Sequence, residues 1–154
     1  MIPVLTVRHP WSAAIFDLGK DVENRTRDLF GDYRGPAAIH VSRTHDGPAA
    51  LHRIEQIVGH DARLENLQAG HIIGVVLVTN VHRYPTPCID TDDGAPCSRW
   101  AQLVEGMVHT WLSRPTRLRH PIWARGQLGL WHIDEGDLRG RWFEGDEEAM
   151  LRGR

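Results

Sequence analysis

Lysine is almost absent from this chain of 154 residues: of its 18 basic residues, 17 are arginine and one is Lys20. Arginine stays protonated in proteins, whereas a lysine amine can be tuned to titrate, so the two cations are not interchangeable. A GC-rich genome would produce an arginine bias through codon composition, but it would not explain the one exception. We therefore take Lys20 as a candidate functional residue, although a single surviving lysine is also compatible with chance.

Long apolar runs are missing as well, since none approaches the roughly 18 residues that a membrane span needs. No charged-then-apolar segment at the N-terminus suggests export. The net charge of −2, with 41% hydrophobic and 25% charged residues, is ordinary for a globular protein. We expect a cytoplasmic protein with no membrane partner. Its main domain should span residues 1–139, followed by an acidic C-terminal arm at 140–154 that ends in a frayed tail.

Cysteine is scarce, and both thiols, Cys88 and Cys97, fall in the proline- and aspartate-rich stretch 84–99. Such a composition predicts an exposed loop or insertion. Two thiols without an export signal are most simply reduced. A zinc site would need about four ligands, and although His82 could join the cysteines, no C-x-x-C or H-x-x-x-H pair is present. We therefore expect no metal and no cofactor.

Acidic residues are missing between Glu105 and Asp134. Four arginines lie in this acid-free stretch: Arg114, Arg117, Arg119 and Arg125. They could form a local positive surface that suits phosphate groups, or simply the solvated face of a strand. From Asp134 to the end the balance reverses, with seven acids against four arginines.

The hydrophobic periodicity predicts both strands and helices. Strands are predicted at 2–8, 36–42, 71–83, 116–123 and 127–133, with an extended segment within 20–27. The strand at 71–83 should be central because it is β-branched and nearly all apolar until Asn80. Apolar residues at helical spacing predict helices that start at Trp11 and cover 48–58, ended by Gly19 and Gly59. The stretch 100–112 is ambiguous between helix and strand.

Around the single lysine, the segment GKDVENR places a lysine, a glutamate and an arginine within six positions: Lys20, Glu23 and Arg25. In an extended segment, Glu23 and Arg25 point to the same face. The cluster suits recognition of a phosphate or a base edge, or catalysis with the lysine as general base. It is also what an ordinary surface ion-pair network looks like.

Several segments in order resemble the ASCH (activating signal cointegrator homology) domain of the PUA-like superfamily. They are LTVRHPWSAAIFDLGKDVENRTR at 5–27, YRGPAAIHVS at 33–42 and WLSRPTRLRHPIWARGQLGLW at 111–131. The family signature G-x-K-x-x-E-x-R is met in compressed form, because Gly19 directly precedes Lys20. The resemblance spans about residues 4–133.

The resemblance implies an α+β fold, a small β-barrel with helices over its openings, and a cleft that binds nucleic acid. RNA is favoured over DNA as the partner, and a nucleotide or nucleoside is a further option. The residues that the resemblance and their positions place at this cleft are Lys20, Glu23, Arg25, Arg8, Trp11, Ser12, Arg34 and Ser42. Trp11 would either stack on a base or pack in the core, since it shares the apolar face of its helix.

Two other classes of function stay open. If the protein is an enzyme, Lys20 and Glu23 are the candidate catalytic residues of a hydrolase. Similar proteins look like amidohydrolases of acetylated cytidine, but they carry a threonine where this chain has Glu23, which argues against that reaction. A ribonuclease could pair Lys20 with Glu23 or with His40. A protein-interaction module, resting on the 84–99 loop and the acidic arm, is the remaining alternative.

Overall fold

The computed structural model of the chain describes residues 1–64, 68–86 and 97–138. Within them lie a six-stranded mixed sheet and three helices, which confirms the α+β class. The strands are β1 (Ile2–Val7), β2 (Val22–Arg25), β3 (Gly35–Val41), β4 (His71–Arg83), β5 (Val108–Trp123) and β6 (Leu130–Ile133). The helices are α1 (Trp11–Asp17), α2 (Pro48–Val58) and α3 (Glu135–Leu138).

The strand order is β2-β5-β4-β3-β1-β6. β1 and β3 are parallel, and the other pairs are antiparallel. β4 lies in the interior of the sheet, and its residues 72–78 are all buried. Successive residues of β1, β3 and β4 belong alternately to two apolar clusters, so both faces of these strands are covered. This double burial explains why residues 72–78 of β4 carry no polar side chain.

The sheet curls strongly, because residues of strands that are far apart in the strand order touch. Arg25 on the edge strand β2 donates from Nη2 to the backbone carbonyl of Thr6 on β1, at 2.7 Å. Three strands separate β2 from β1 in the sheet. A twisted sheet that brings them together has the bent shape of a partial barrel, although β2 and β6 remain its edges in the hydrogen-bonding order. The curl makes β1 and β2 two walls of one concavity.

The segment 100–123 differs from its predicted division. The strand expected at 116–123 is the second half of the 16-residue β5, which begins at Val108 inside the ambiguous stretch. The pairing register with β4 shifts between Ser113 and Thr116, where Arg114 takes a φ of 48°. A bulge of this kind accommodates Pro115, which would otherwise interrupt a strand. The proline and the exposed polar residues after it conceal one continuous strand.

The end of α1 fixes the position of the single lysine. Gly19 takes a φ of 68°, the left-handed conformation that ends helices at glycine. The backbone N–H of Lys20 then donates to the carbonyl of Ala14 at 3.1 Å. Gly59, at 78°, ends α2 in the same conformation. Lys20 is therefore anchored to the helix and leads directly into β2.

The acidic arm at 140–154, Cys88 and most of the 84–99 loop lie outside the described residues. None of the helices that the structure does describe is long and apolar enough to cross a membrane.

Candidate functional site

A buried ion cluster lies where α1 passes into β2. Lys20 donates from Nζ to Oε2 of Glu23 and to the carbonyl of Val22, each at 2.6 Å. Arg25 donates from Nε to the other carboxylate oxygen of Glu23 at 3.0 Å. The side chains of Lys20 and Glu23 are only 2% and 9% exposed, whereas that of Arg25 is 34% exposed. One carboxylate therefore joins a fully buried ammonium to a guanidinium that reaches the surface.

The two cations keep Glu23 ionised. Burial raises the pKa of Glu23, but the charges of Lys20 and Arg25, together with their hydrogen bonds, more than offset this and hold that pKa below its usual range. At neutral pH the side chain is an acceptor-only carboxylate. It cannot donate the proton that a general acid must give to a leaving oxygen.

A cavity of about 530 Å³ opens above this cluster. Its volume lies within the ~300–1,000 Å³ range of small-molecule and cofactor sites. Four basic and two acidic side chains line it: Arg8, Lys20, Arg25, Arg53, Glu23 and Asp46. The other lining residues are Thr6, Val7, Trp11, Asn24, Ser42, Thr44, Ile57, Trp100, Gln102, Gln127, Leu128 and Gly129. The surplus of two cations favours an anionic ligand.

One carboxylate organises the rim. Asp46 accepts from Arg8 Nη1 at 3.1 Å and from the indole Nε1 of Trp11 at 3.0 Å. The backbone N–H of Asp46 donates to the carbonyl of His9, which ties this loop to the start of α1. Trp11 is partly buried against two apolar clusters and also lines the cavity, so it serves packing and remains available to a ligand.

The opposite wall is held by an amide bridge. Asn24 donates from Nδ2 to the carbonyl of Trp100 at 2.9 Å, and its Oδ1 accepts the backbone N–H of Gln102 at 2.8 Å. These two bonds fasten segment 100–102 across β2. Trp100 and Gln102 reach the cavity because Asn24 holds them there. No residue spacing in the sequence predicts this contact.

Six of the eight residues assigned to the cleft line the cavity: Arg8, Trp11, Lys20, Glu23, Arg25 and Ser42. Ser12 does not, because its hydroxyl is buried in α1 and finds no hydrogen-bond partner among the residues described. Arg34 also lies elsewhere, with Nη1 donating to the carbonyls of Gly31 and Tyr33 in an exposed turn. Neither residue is positioned to touch a ligand in this cavity.

His40, named as a possible partner of Lys20, lies behind the cavity wall. It is 1% exposed, and its ring contacts the carbonyl of Ala124 through Nε2 at 3.1 Å and the hydroxyl of Thr6 through Nδ1 at 3.3 Å. Burial lowers the pKa of His40 against the opposing effect of its backbone hydrogen bonds. The ring is therefore a neutral structural group at pH 7, and it contacts the cavity lining through Thr6.

The arginines of the acid-free stretch do not reach the cavity either. Arg117 donates from Nη2 to Asp17 at 2.7 Å, and its guanidinium lies 5.1 Å from the ring centroid of Phe16. That arginine fastens β5 to α1.

The chain is similar to solved ASCH structures. One is the crystal structure of ASCH from Zymomonas mobilis, with 16% identity, a TM-score of 0.45 and coverage of 97% of this chain and 92% of that one. The other is a serine-to-alanine variant of that protein, with 14% identity, a TM-score of 0.45 and coverage of 97% and 93%. Both structures are named for the ASCH domain, the family that the sequence resembles. The sequence matches no family model and no curated protein.

Sequence reasoning missed the polar lining residues that come from segments outside the lysine motif, among them Thr6, Asp46 and Arg53. Thr6 is an ordinary strand residue in sequence, and Arg53 is one of several polar residues on the outer face of α2. Asp46 lies just before α2, where an aspartate is typical of a turn. Only the curled sheet brings them to one cavity.

Proposed function

We propose that the protein binds single-stranded nucleic acid, RNA in preference to DNA, with one nucleotide inserted in the cavity above Lys20, Glu23 and Arg25. The observation that carries this proposal is the composition of that cavity. It joins a cationic rim, an aromatic side chain and a buried ion cluster with unused hydrogen-bonding capacity. Its volume suits a nucleotide-sized ligand.

The rim supports phosphate binding. Arg8 has a side chain that is 58% exposed, and Arg53 lies on the exposed side of α2. Guanidinium groups bind phosphate through paired N–H donors, and such contacts provide affinity without sequence preference. Both arginines belong to the cavity lining, so a backbone that passes over the opening would meet them.

The floor supports recognition of a base. An ammonium has three N–H donors, and Lys20 uses two of them on Val22 and Glu23. A carboxylate can accept about four hydrogen bonds, and Glu23 accepts one on each oxygen within this cluster. The remaining donor and acceptor capacity suits the carbonyl and amino groups of a base edge. Trp11 offers an aromatic surface beside them, of the kind on which unpaired bases stack.

Binding is favoured over a hydrolase by the state of the candidate catalytic groups. Lys20 and Glu23 hold each other in a tight pair, so neither is arranged as a base beside a nucleophile. The hydroxyl of Thr6 contacts the imidazole of His40, and it also accepts the indole N–H of Trp131 at 3.2 Å. These contacts hold the hydroxyl in a hydrogen-bond network of the protein itself. A ribonuclease would need a positioned acid and base, and Glu23, whose pKa is held below its usual range by Lys20 and Arg25, is ionised at pH 7 and is not available as that acid.

The test is fluorescence anisotropy with a labelled RNA of about ten nucleotides, a length within the range that single-strand binding sites cover. We expect saturable binding whose affinity falls with salt, and the same RNA should run intact on a denaturing gel. Arg8→Ala with Arg53→Ala should lower the salt dependence by about 1.4 in the log–log slope, at ~0.7 per phosphate contact. Arg34→Ala with Arg63→Ala is the matched control, because both arginines are exposed and outside the cavity.

Equal losses in the two double variants would contradict the proposal, since they would point to general charge rather than to this cavity. Absence of binding at low salt would contradict it as well. RNA fragments that disappear with Lys20→Ala would favour the ribonuclease instead.

A further inference from the structure

A second polar cluster, partly buried, lies at the far end of β4 and the start of β5. His82 and His109 are directly opposite each other in the antiparallel pair, and Cys97 approaches them from the loop between these strands. Nε2 of His82 lies 3.1 Å from Nδ1 of His109 and 3.5 Å from Sγ of Cys97. All three atoms are within 4.8 Å of one another. Three metal-ligating atoms thus converge on one point.

Two of the three separations match those of ligands around a tetrahedral ion. With Zn–N bonds of ~2.05 Å and Zn–S bonds of ~2.3 Å, tetrahedral angles place two nitrogens about 3.3 Å apart and a nitrogen and a sulfur about 3.5 Å apart. The observed nitrogen pair is 3.1 Å apart, and the nitrogen–sulfur pair is 3.5 Å apart. The third separation, between Cys97 and His109, is within 4.8 Å, so a movement of the Cys97 side chain would complete the coordination.

His109 is already oriented as a ligand. Its ring is fully buried, and Nε2 lies 2.9 Å from the carbonyl of Gln102. A carbonyl only accepts, so Nε2 carries the proton and Nδ1 presents its lone pair toward His82 and Cys97. Histidine ligands in metal sites commonly have this kind of partner on the other ring nitrogen, which fixes the tautomer.

We propose that His82, Cys97 and His109 bind a thiophilic divalent transition-metal ion of the Zn²⁺ class. One thiolate and two imidazoles supply three positions of a tetrahedron, and the fourth is left to water or another donor. Binding requires that Cys97 release its thiol proton to solvent, so affinity should rise with pH. The sequence expectation of no metal rested on missing ligand spacing, and it could not include His109, which the strand pairing supplies.

The ion would also connect to the cavity. Gln102, whose carbonyl holds His109, is the residue whose backbone N–H is held by Asn24 in the cavity wall. A metal bound at this cluster would therefore fasten segment 97–102 to the sheet and steady Trp100 and Gln102 at the cavity. This proposal does not depend on what the cavity binds.

Co²⁺ is the direct probe, because a thiolate ligand produces a charge-transfer absorption in the near ultraviolet and tetrahedral Co²⁺ absorbs strongly in the visible. We expect chelator-treated full-length protein to show both signals, saturating at about one ion per chain, and Zn²⁺ to abolish them by displacement. Cys97→Ser, at a partly exposed position, should remove the charge-transfer band and lower affinity by about 100-fold or more. Zn²⁺ in ~100-fold excess over its Kd should raise Tm by about 5–10 °C in the wild type.

His82→Ala should weaken binding, whereas His132→Ala is the matched control, since it removes an exposed histidine from β6 at the other edge of the sheet. The proposal fails if wild-type protein shows no charge-transfer band, or if the band persists in Cys97→Ser. Equal weakening by the two histidine variants would indicate scattered surface binding and would also overturn it. Because the Co²⁺ signals are measured without RNA, failure here leaves the nucleic-acid proposal untouched.

Discussion

Two ion pairs in this protein have nearly the same geometry and very different surroundings. Lys20 Nζ lies 2.6 Å from Glu23, and Arg117 Nη2 lies 2.7 Å from Asp17. The side chains of the first pair are 2% and 9% exposed, whereas those of the second are 29% and 33% exposed. Distance alone would rank them as equals. Burial makes the first pair costly in desolvation free energy, so its presence needs an explanation in ligand binding or in folding. The second pair is an ordinary surface contact.

A buried ion pair is weak evidence for stability. Removing two charges from water costs several kcal/mol per ion, and mutual attraction offsets this only when the remaining hydrogen bonds are made. Replacing such a pair by apolar residues of similar volume is often neutral or stabilising. A functional use of the Lys20–Glu23 pair is therefore a better explanation for its presence than added stability.

The largest expected effect is that of Lys20→Ala. It leaves the buried carboxylate of Glu23 with one cation instead of two and leaves the carbonyl of Val22 without its lysine donor. We expect the free energy of unfolding to fall by about 3–5 kcal/mol, measured by urea denaturation. A loss below about 1 kcal/mol would mean that the buried pair behaves like a surface pair.

Lys20→Arg keeps the charge but not the shape. The ammonium is enclosed at 2% side-chain exposure, and a guanidinium is larger and planar. We expect a stability loss of about 1–3 kcal/mol from overpacking, together with weaker RNA binding. If Lys20→Arg changes neither stability nor RNA binding, the presence of a single lysine is explained by chance.

Acid titration should separate the buried carboxylate from the rest. The pKa of Glu23 is lowered from an ordinary value of 4.5, so the stability linked to its ionisation is fully present above that pH. It should be lost as the pH falls below 4.5 through the lower pKa of the folded state. Glu23→Gln should therefore show a flatter loss of stability than wild type as the pH falls below 4.5. Parallel curves would show that Glu23 is not held ionised by its neighbours.

The exposed pair should give the smallest effect. Asp17→Ala removes the partner of Arg117, and we expect a change of about 0–1 kcal/mol that shrinks further in high salt. Thermal unfolding at low and high salt measures both values. A larger loss of stability that does not depend on salt would contradict the contrast between this exposed pair and the buried Lys20–Glu23 pair.

Sequence patterns predicted the strands and helices whose formation depends on residues close together in the chain. The bounds 71–83 and 48–58 agree with β4 and α2, because one contains a β-branched apolar run up to Val78 and the other has a helical face ended by Gly59. β5 was divided wrongly, since the bulge that accommodates Pro115 depends on its pairing with β4. The boundary between 1–139 and the acidic arm stays a prediction, because the arm lies outside the described residues.

The two polar clusters show the same limit. Lys20, Glu23 and Arg25 lie within six consecutive residues, so the sequence could place them together. The ligand-like group of His82, Cys97 and His109 is spread over 28 positions and two strands, and its members meet only through strand register. Sequence reasoning could find the first group and had no spacing with which to find the second.

The central claim is that the buried ion pair serves ligand recognition rather than stability. The most direct measurement is RNA affinity of the double variant Lys20→Met with Glu23→Leu, beside its free energy of unfolding. We predict stability within about 1.5 kcal/mol of wild type or above it, since apolar residues of similar volume replace the pair. RNA binding should fall by at least tenfold, because the base-recognising groups are gone. A stable double variant that binds RNA as tightly as wild type would contradict the account.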